Sequence, residues 1–236
     1  MIVKNDLFDY KDRYIFQDNK GFKFSLASIL LAEYATSRSS QTVLDLCTGN
    51  AAVPLIMSTY NNGNYVCFEI QESVYELGLK SINYNKLDNR IKIINDDIRN
   101  IKSYYQKESF DVITCNPPFF RVNDLKSVNK NDLKAIARHE VSFSLEDAFI
   151  IGKDYLTNKG ILYLVHRSER IDEIITLAHK YNINVKNIQL ISTKKDVKPS
   201  ILLVKCVKNS KMGVVVDKEI CIEGLETYQN IFREIK

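Results

Sequence analysis

Apolar runs rich in β-branched residues alternate with amphipathic stretches of helical length along most of the chain. This alternation predicts parallel strands joined by crossover helices. The predicted strands are 42–47, 65–70, 91–95, 110–115, 161–166, 185–192 and 201–207. The predicted helices are 25–36, 51–60, 72–87, 145–156 and 168–181. The pattern therefore indicates an α/β fold with a doubly wound, seven-stranded, mostly parallel sheet.

Two connections and the tail depart from this alternation. Residues 193–200 are too few for a crossover helix, so the last two strands are expected to form an antiparallel hairpin. Residues 120–141 are charged and form a connection far longer than usual, which predicts a mobile functional loop. The expected elements of the tail after Lys208 are a small strand pair at 212–216 and 220–222 and a short helix at 229–236.

The composition fits one large α/β domain over 1–236, with an amino-terminal segment at 1–40 ahead of the first sheet strand. Of the 236 residues, 45% are apolar, which is enough for a sizeable core. No apolar stretch approaches the roughly 18 residues of a membrane span, and the charged start resembles no targeting segment. Five scattered cysteines without a Cys-x-x-Cys pair favour reduced thiols over disulfides or zinc. We therefore expect a soluble, cytoplasmic protein with no metal and no membrane partner.

Positive charge is concentrated in one part of the chain. Residues 121–212 contain 17 Lys and Arg against 10 Asp and Glu, an excess of seven in a chain of net charge +4. Lys-rich solvated surfaces are common, so the excess alone is weak support for a partner. Because it begins just after a candidate site at the end of strand 110–115, a phosphate-rich partner is the better interpretation.

Three successive predicted strands end in acidic residues. Asp45 is followed by a short turn through Gly49 that opens a helix, and such a turn lets the backbone approach a ligand closely. Glu69 can accept both hydroxyls of a ribose, while Asp97 can accept an adenine amino group beside Ile98. Singly, these residues fit a turn glycine, a solvated strand end and a helix N-cap equally well. Together they indicate a cofactor site.

The fourth strand ends in the tetrapeptide Asn116-Pro117-Pro118-Phe119. Prolines have no backbone N–H, so carbonyls here are left free as acceptors at the strand end. The Asn116 side-chain oxygen and the Pro117 carbonyl can together accept both N–H groups of an amine, and Phe119 can stack a planar base. No strong base is nearby, so these acceptors would activate the amine by positioning it. The predicted target is an amino group on a planar ring.

With these motifs the sequence resembles the class I S-adenosylmethionine-dependent methyltransferases. Their Rossmann-like fold has seven strands and an antiparallel final hairpin, and the resemblance spans most of the chain. It implies S-adenosylmethionine as the cofactor. The chain departs from the family at Cys47 and Ala51, where glycine is usual. The implied cofactor-binding residues are Phe24, Ser25, Asp45, Cys47, Gly49, Asn50, Glu69, Ile70, Asp97, Ile98 and Asn116.

Closer similarity is to the small bacterial tRNA adenine-N6 methyltransferases that modify the base 3′ of the anticodon of a valine tRNA. The segments that carry this similarity are 21–25, 116–120, 137–140 and 198–200. It implies methyl transfer to the exocyclic N6 of an adenine, with the tRNA anticodon stem-loop as the partner. The catalytic candidates are Asn116, Pro117, Pro118 and Phe119.

The RNA-binding candidates lie in the loop 120–141 and between the last two strands. If loops at one sheet edge bring them together, their lysines form a rim that contacts phosphates. A solvated surface is the default for any one lysine, and a helix-start cluster is the alternative for Arg138 and His139. The candidates are Phe120, Lys126, Lys130, Lys134, Arg138, His139, Lys194, Lys195 and Lys198.

Three alternative functions share the same tetrapeptide or fold. Protein-glutamine methyltransferases of release factors usually have Tyr after the prolines and a helical domain ahead, whereas only about forty residues precede the first strand here. Guanine-N2 ribosomal RNA methyltransferases commonly have His after the Phe and often a duplicated domain, whereas this chain has Phe120. A catalytically inactive RNA-binding module would fit the departures at Cys47 and Ala51.

Overall fold

The computed structural model describes residues 1–7, 10, 12–19, 23–35, 41–117, 119 and 143–232. The predicted substrate loop 120–141 lies outside the described residues. The candidate residues that also lie outside them are Pro118, Phe120, Lys126, Lys130, Lys134, Arg138 and His139.

The described part of the chain contains eleven strands and five α-helices. The strands are β1 Ile2–Asp6, β2 Tyr14–Asp18, β3 Thr42–Asp45, β4 Asn64–Phe68, β5 Ile91–Ile94, β6 Phe110–Cys115, β7 Leu156–Arg167, β8 Ile183–Ser192, β9 Ile201–Lys208, β10 Val215–Val216 and β11 Ile220–Cys221. The helices are α1 Leu26–Ala35, α2 Ala52–Met57, α3 Glu72–Tyr84, α4 Leu145–Tyr155 and α5 Ile171–Lys180. Short 3-10 helices span Ile98–Ser103 and Ser168–Arg170.

The large sheet has the strand order β10-β8-β9-β7-β6-β3-β4-β5, and β11 also pairs with β8. The strands from β7 to β5 are parallel neighbours, whereas β9 runs antiparallel to both β7 and β8. All seven predicted strands and the antiparallel hairpin are therefore confirmed. The sheet reverses its winding between β3 and β6, and in such sheets ligands bind beyond the carboxyl ends of the strands.

Apolar cores lie on both faces of the sheet, which is why its central strands read as continuous apolar runs. One core contains α1, α2 and part of α3, and the other contains α4 and α5. Helix α3 approaches the sheet edge closely at Gly78. A Cβ atom there would lie 2.7 Å from Ile93 Cδ1 and 3.2 Å from the Gly49 carbonyl oxygen. Glycine at position 78 therefore lets α3 pack directly against the turn after β3.

The hairpin of β1 and β2 was not predicted from the sequence. It forms a separate two-stranded sheet that packs on α3. Phe16 N donates to Ser81 Oγ at 2.9 Å, and Tyr14 N donates to Asn85 Oδ1 at 3.0 Å. Phe16 also contacts the turn after β3, because Asn50 Nδ2 donates to the Phe16 carbonyl oxygen at 2.9 Å.

The tail differs from its prediction. β10 and β11 do form, but both pair in parallel with β8 rather than with each other. Residues 229–232 form turns, so the helix predicted at 229–236 is wrong over its described part. The described part of the tail contacts α1 at Glu33, which accepts hydrogen bonds from Asn230 N at 2.8 Å and from Tyr60 Oη at 2.6 Å. The bond from Asn230 joins the tail to α1.

No described helix combines the length and apolar character of a membrane span. Likewise, no three His, Cys, Asp or Glu side chains of the described segments are grouped so that they could hold a metal ion.

Candidate active site at the carboxyl edge of the sheet

The parallel order of β5, β4, β3 and β6 places the predicted site residues of four strand ends at one edge of the sheet. Hydrogen bonds join these ends directly. Thr114 Oγ1 donates to Asp45 Oδ1 at 2.6 Å, and Gly49 N donates to Glu69 Oε2 at 3.0 Å. Asn95 Nδ2 donates to the Glu69 carbonyl oxygen at 2.8 Å. The structure thus brings together the acidic strand ends that the sequence singled out.

Asp45 is buried at the end of β3, with 1% of its surface exposed. Burial raises the pKa of Asp45 to about 6, although the hydrogen bond from Thr114 lowers it. Its Oδ2 atom has no hydrogen-bond partner among the described residues. A buried carboxyl group with a raised pKa and a spare acceptor is a feature of binding and catalytic sites.

Asp45→Asn should remove a pH-dependent part of the folding stability. In the folded protein Asp45 holds its proton up to pH about 6, whereas its ordinary pKa is 3.8. The folded state therefore binds more protons between these values, so this group lowers stability as pH rises through that window. The wild-type free energy of unfolding, relative to Asp45→Asn, should fall by roughly 3 kcal/mol between pH 4 and 7. Urea unfolding at half-unit pH steps measures this difference, and a constant difference would contradict the assignment.

The turn after β3 has a backbone conformation that favours glycine at two positions, and one of them is occupied by alanine. Gly49 and Ala51 both have φ in the left-handed region, at 59° and 69°. For Ala51 this conformation costs roughly 1–2 kcal/mol. Ala51 therefore adds local backbone strain to the turn. Strain of this kind is often found at ligand-binding turns.

Glu69 is the acceptor that holds this turn. It follows β4, is buried, and accepts hydrogen bonds from Gly49 N through Oε2 and from Gln71 N through Oε1 at 2.9 Å. Burial raises the pKa of Glu69, and the bonds from Gln71 and Gly49 oppose that shift. Each carboxylate oxygen has a further lone pair, so the ribose role predicted for Glu69 is compatible with both bonds.

Cys47 links the turn to the tetrapeptide strand. A hydrogen bond with Cys115 and burial together raise the pKa of Cys47 well above its usual range. The Cys47 thiol is therefore protonated near neutral pH, and Cys47 is a packing residue of the turn rather than a nucleophile.

The residues predicted to hold an adenine ring differ in how accessible they are to a ligand. Asp97 is the N-cap of the 3-10 helix, accepting from Arg99 N at 2.9 Å and from the Arg99 guanidinium. The hydrogen bonds from Arg99 lower the pKa of Asp97. Ile98 is buried in the core, whereas Ile70 is 45% exposed beside the strand end. The N-cap interpretation of Asp97 is thus confirmed, and its contact with adenine stays a prediction.

The tetrapeptide is held at two points. Asn116 Nδ2 donates to Ser28 Oγ of α1 at 2.9 Å. Phe119 is half-buried, and its ring centroid lies 5.2 Å from that of His166, with 35° between the planes. Pro117, which lies between Asn116 and Phe119 in the sequence, is buried. Ser28 and His166 are contacts that the sequence analysis did not identify.

Phe24 and Ser25 lie directly ahead of α1. Phe24 packs against the core and Ser25 is exposed, while the Ser25 carbonyl accepts from Ser28 N at 3.0 Å. Phe24 and Ser25 therefore lie next to the start of α1, the helix whose Ser28 contacts Asn116.

A family model described as the methyltransferase small domain matches residues 21–196. The chain belongs to this methyltransferase family. One curated relative is the tRNA1(Val) (adenine(37)-N6)-methyltransferase of Bacteroides thetaiotaomicron. It is 23% identical over 235 residues, covering 99% of this chain and 96% of the relative. The relative of the same name from Aliivibrio salmonicida is 26% identical over 196 residues, covering 82% and 81%.

The fold of this methyltransferase also matches solved structures. A predicted O-methyltransferase from Agrobacterium tumefaciens superposes with a TM-score of 0.67 at 16% identity, covering 88% of this chain and 94% of that one. The family uses S-adenosylmethionine as its methyl donor, so the cofactor prediction is confirmed.

The methyltransferase turn has the polar groups that this cofactor requires. Three buried side-chain oxygens have no hydrogen-bond partner within the described ranges: Asp45 Oδ2, Thr48 Oγ1 and Asn50 Oδ1. Buried polar atoms are costly unless they are paired, and a ligand with amino and hydroxyl groups can pair them. These residues therefore fit the cofactor.

The hairpin lysines of the methyltransferase are exposed at the same sheet edge. Arg167 at the end of β7 pairs with Ile201 at the start of β9, which places the 193–200 connection beside the other strand ends. Ser168 Oγ donates to the Pro199 carbonyl oxygen at 2.5 Å and fixes this connection. The residues placed there are Lys194, Lys195 and Lys198.

Proposed function

We propose that this protein transfers a methyl group from S-adenosylmethionine to the exocyclic N6 of an adenine in tRNA. The proposed position is the base 3′ of the anticodon, in a valine tRNA. The observation that carries the proposal is the orientation of the Asn116 amide. Its Nδ2 atom donates to Ser28, so its Oδ1 atom is left to accept a hydrogen bond from an amino group. The names of the two curated relatives support adenine in tRNA as the target.

The chain's contribution to the chemistry is positioning. Asn116 Oδ1 and the Pro117 carbonyl oxygen accept the two N–H groups of the target amine, which directs the nitrogen lone pair away from the base plane. Phe119, supported by His166, stacks the base. The cofactor supplies, when bound, an electrophilic methyl group on a sulfonium sulfur. With the cofactor held there, the new C–N bond would form at the expense of the S–C bond, and the surplus proton of the nitrogen would pass to water.

The cofactor contacts follow the strand ends. We infer that the turn from Asp45 to Ala51 holds the amino-acid part and that Glu69 holds the ribose hydroxyls. Asp97 would accept the adenine amino group once Arg99 gives up one carboxylate oxygen, while Ile70 covers the ring. The proposed cofactor-binding residues are Phe24, Ser25, Asp45, Cys47, Gly49, Asn50, Glu69, Ile70, Asp97 and Ile98. Asn116 completes this set at the methyl end, where we propose that it holds the target amine and adds little to cofactor affinity.

The proposal treats 1–236 as one domain. The segment 1–40 closes the cofactor site, which is supported by the bond between Asn50 and the Phe16 carbonyl. The loop 120–141, with its basic residues, is proposed to contact the RNA together with the hairpin lysines.

The buried turn and the strand ends are intact, which favours an enzyme over an inactive RNA-binding module.

Replacing Lys194, Lys195 and Lys198 together with Ala should weaken tRNA binding and make it less dependent on salt. Three lost phosphate contacts reduce the slope of log K against log salt by about 2 to 3. The matched control replaces Lys107, Lys153 and Lys211, which lie near the opposite edge of the sheet and carry the same total charge. Filter binding at several salt concentrations measures both slopes. Equal slopes of log K against log salt in the two variants would show that Lys194, Lys195 and Lys198 do not contact the RNA.

The position of the methyl group can be tested with short RNA. We expect the valine anticodon stem-loop to accept a labelled methyl group, and the same stem-loop with guanine in place of the adenine 3′ of the anticodon to accept none. Nucleoside digestion of the product should give N6-methyladenosine. Labelling of the guanine-substituted RNA as N2-methylguanosine would instead favour the guanine-N2 alternative.

A further inference from the structure

The side-chain amide of Asn116 has a donor end and an acceptor end, and methyl transfer needs only one of them. An amine carrying two N–H groups requires an acceptor, so the amide must present Oδ1 rather than Nδ2. Asn116 is only partly buried, so its backbone position alone does not select between the two orientations. The bond of 2.9 Å from Asn116 Nδ2 to Ser28 Oγ engages the donor end.

We propose that Ser28 is a positioning residue for methyl transfer, because it holds the Asn116 amide with its oxygen available to the substrate amine. This inference rests on the proposed function and deepens it. Ser28 does not touch the substrate in this account; it acts through Asn116.

The surroundings of Ser28 make its hydroxyl a fixed partner. Ser28 is 8% exposed on α1, and the next three residues of the helix, 29–31, are almost completely buried. Helix α1 packs against both α2 and β7. Its later turn is fixed by Glu33, which accepts from Tyr60 and Asn230. The helix therefore holds the Ser28 oxygen at a constant place beside the end of β6.

The kinetic test compares Ser28→Ala with Ser28→Thr. The Ala variant should lower kcat about tenfold and change the cofactor Kd less than twofold, because the amide orientation is lost while the turn after β3 is untouched. The Thr variant keeps the hydroxyl and should recover most of the rate. Ser58→Ala is the matched control, since it removes another buried hydroxyl, which donates to the Leu55 carbonyl oxygen away from the site. Its kcat should equal that of the wild type.

A double-mutant cycle separates orientation from general packing. A carboxylate has two equivalent oxygens, so in the Asn116→Asp background no orientation has to be selected. Ser28→Ala should then cost less than twofold in kcat, against about tenfold beside Asn116. An equal loss in both backgrounds would mean that Ser28 only stabilises the fold, and would overturn the inference.

A second readout does not depend on the methyl acceptor. The side-chain amide signals of Asn116 can be assigned in ¹⁵N NMR spectra by their loss in Asn116→Asp. Ser28→Ala should shift these signals and speed their exchange with water by about tenfold or more, whereas Ser58→Ala should leave them unchanged. If the wild type makes no methyladenosine, the proposed function fails while this measurement still decides the role of Ser28. Unchanged amide exchange in Ser28→Ala overturns the inference, as does an unchanged kcat.

Discussion

Asn116→Ala should slow methyl transfer by about 10²–10³-fold while leaving the affinity for S-adenosylmethionine within about twofold. The variant loses the acceptor that holds the target amine, and the remaining Pro117 carbonyl can accept only one of its N–H groups. The turn that is proposed to hold the cofactor makes its hydrogen bonds with Glu69, not with Asn116. Single-turnover rates with a labelled methyl group and calorimetry of cofactor binding measure the two quantities separately.

Asn158→Ala is the control for this substitution. Asn158 is exposed in the first part of β7, at the opposite edge of the sheet, and its Oδ1 atom accepts from Asn209. Its rate and cofactor affinity should match those of the wild type. A full rate in Asn116→Ala would refute the role of the amide, and a joint loss of rate and cofactor affinity would instead assign Asn116 to the cofactor site.

Glu69→Ala should weaken cofactor binding by about 100-fold or more and should also lower the stability of the protein. The substitution removes the proposed ribose acceptor and leaves Gly49 N and Gln71 N without their acceptor. The Gly49 bond is buried, and an unpaired buried N–H costs roughly 1–3 kcal/mol, so the free energy of unfolding should fall by about 2 kcal/mol. Calorimetry at low temperature on folded protein gives the affinity, and urea unfolding gives the stability.

Glu72→Ala is the matched control for Glu69→Ala. Glu72 is an exposed carboxylate in the first turn of α3, three residues further along the chain. Its removal changes the net charge equally and should leave the cofactor Kd unchanged. If Glu69→Ala binds the cofactor as tightly as Glu72→Ala, the carboxylate after β4 does not contact the ribose.

The fold of the sheet was predictable because its strands are buried on both faces. Segments such as Phe110–Cys115 then read as short apolar runs that differ clearly from the amphipathic helices between them. The hairpin of β1 and β2 carried no such signal, since β1 is almost wholly exposed. Its position depends on the side chains of Ser81 in α3 and of Asn85, the C-cap of α3, which local sequence does not connect with the hairpin.

The tail shows the same limit. The short apolar runs around Val215 and Ile220 predicted strands correctly, but nothing in them indicates that both add to β8. That pairing involves contacts with residues far away in the chain, such as the bond from Gln189 Nε2 of β8 to the Lys218 carbonyl oxygen.

The strand-end residues of the candidate site were predictable because the carboxyl ends of neighbouring parallel strands share one edge. Asp45, Glu69 and Asn116 could therefore be grouped from the sequence alone. Ser28 and His166 could not, because they reach the tetrapeptide from positions far away in the chain: Ser28 lies 88 residues before Asn116. A serine on an apolar helix and a histidine at a strand end give no local sign of such contacts.

The most direct test of the account is transfer of a labelled methyl group from S-adenosylmethionine to unmodified bulk tRNA, followed by nucleoside analysis. We expect the label to be recovered as N6-methyladenosine and Asn116→Ala to leave the tRNA almost unlabelled. Recovery of the label in ribosomal RNA or protein, with none in tRNA, would contradict the proposed function.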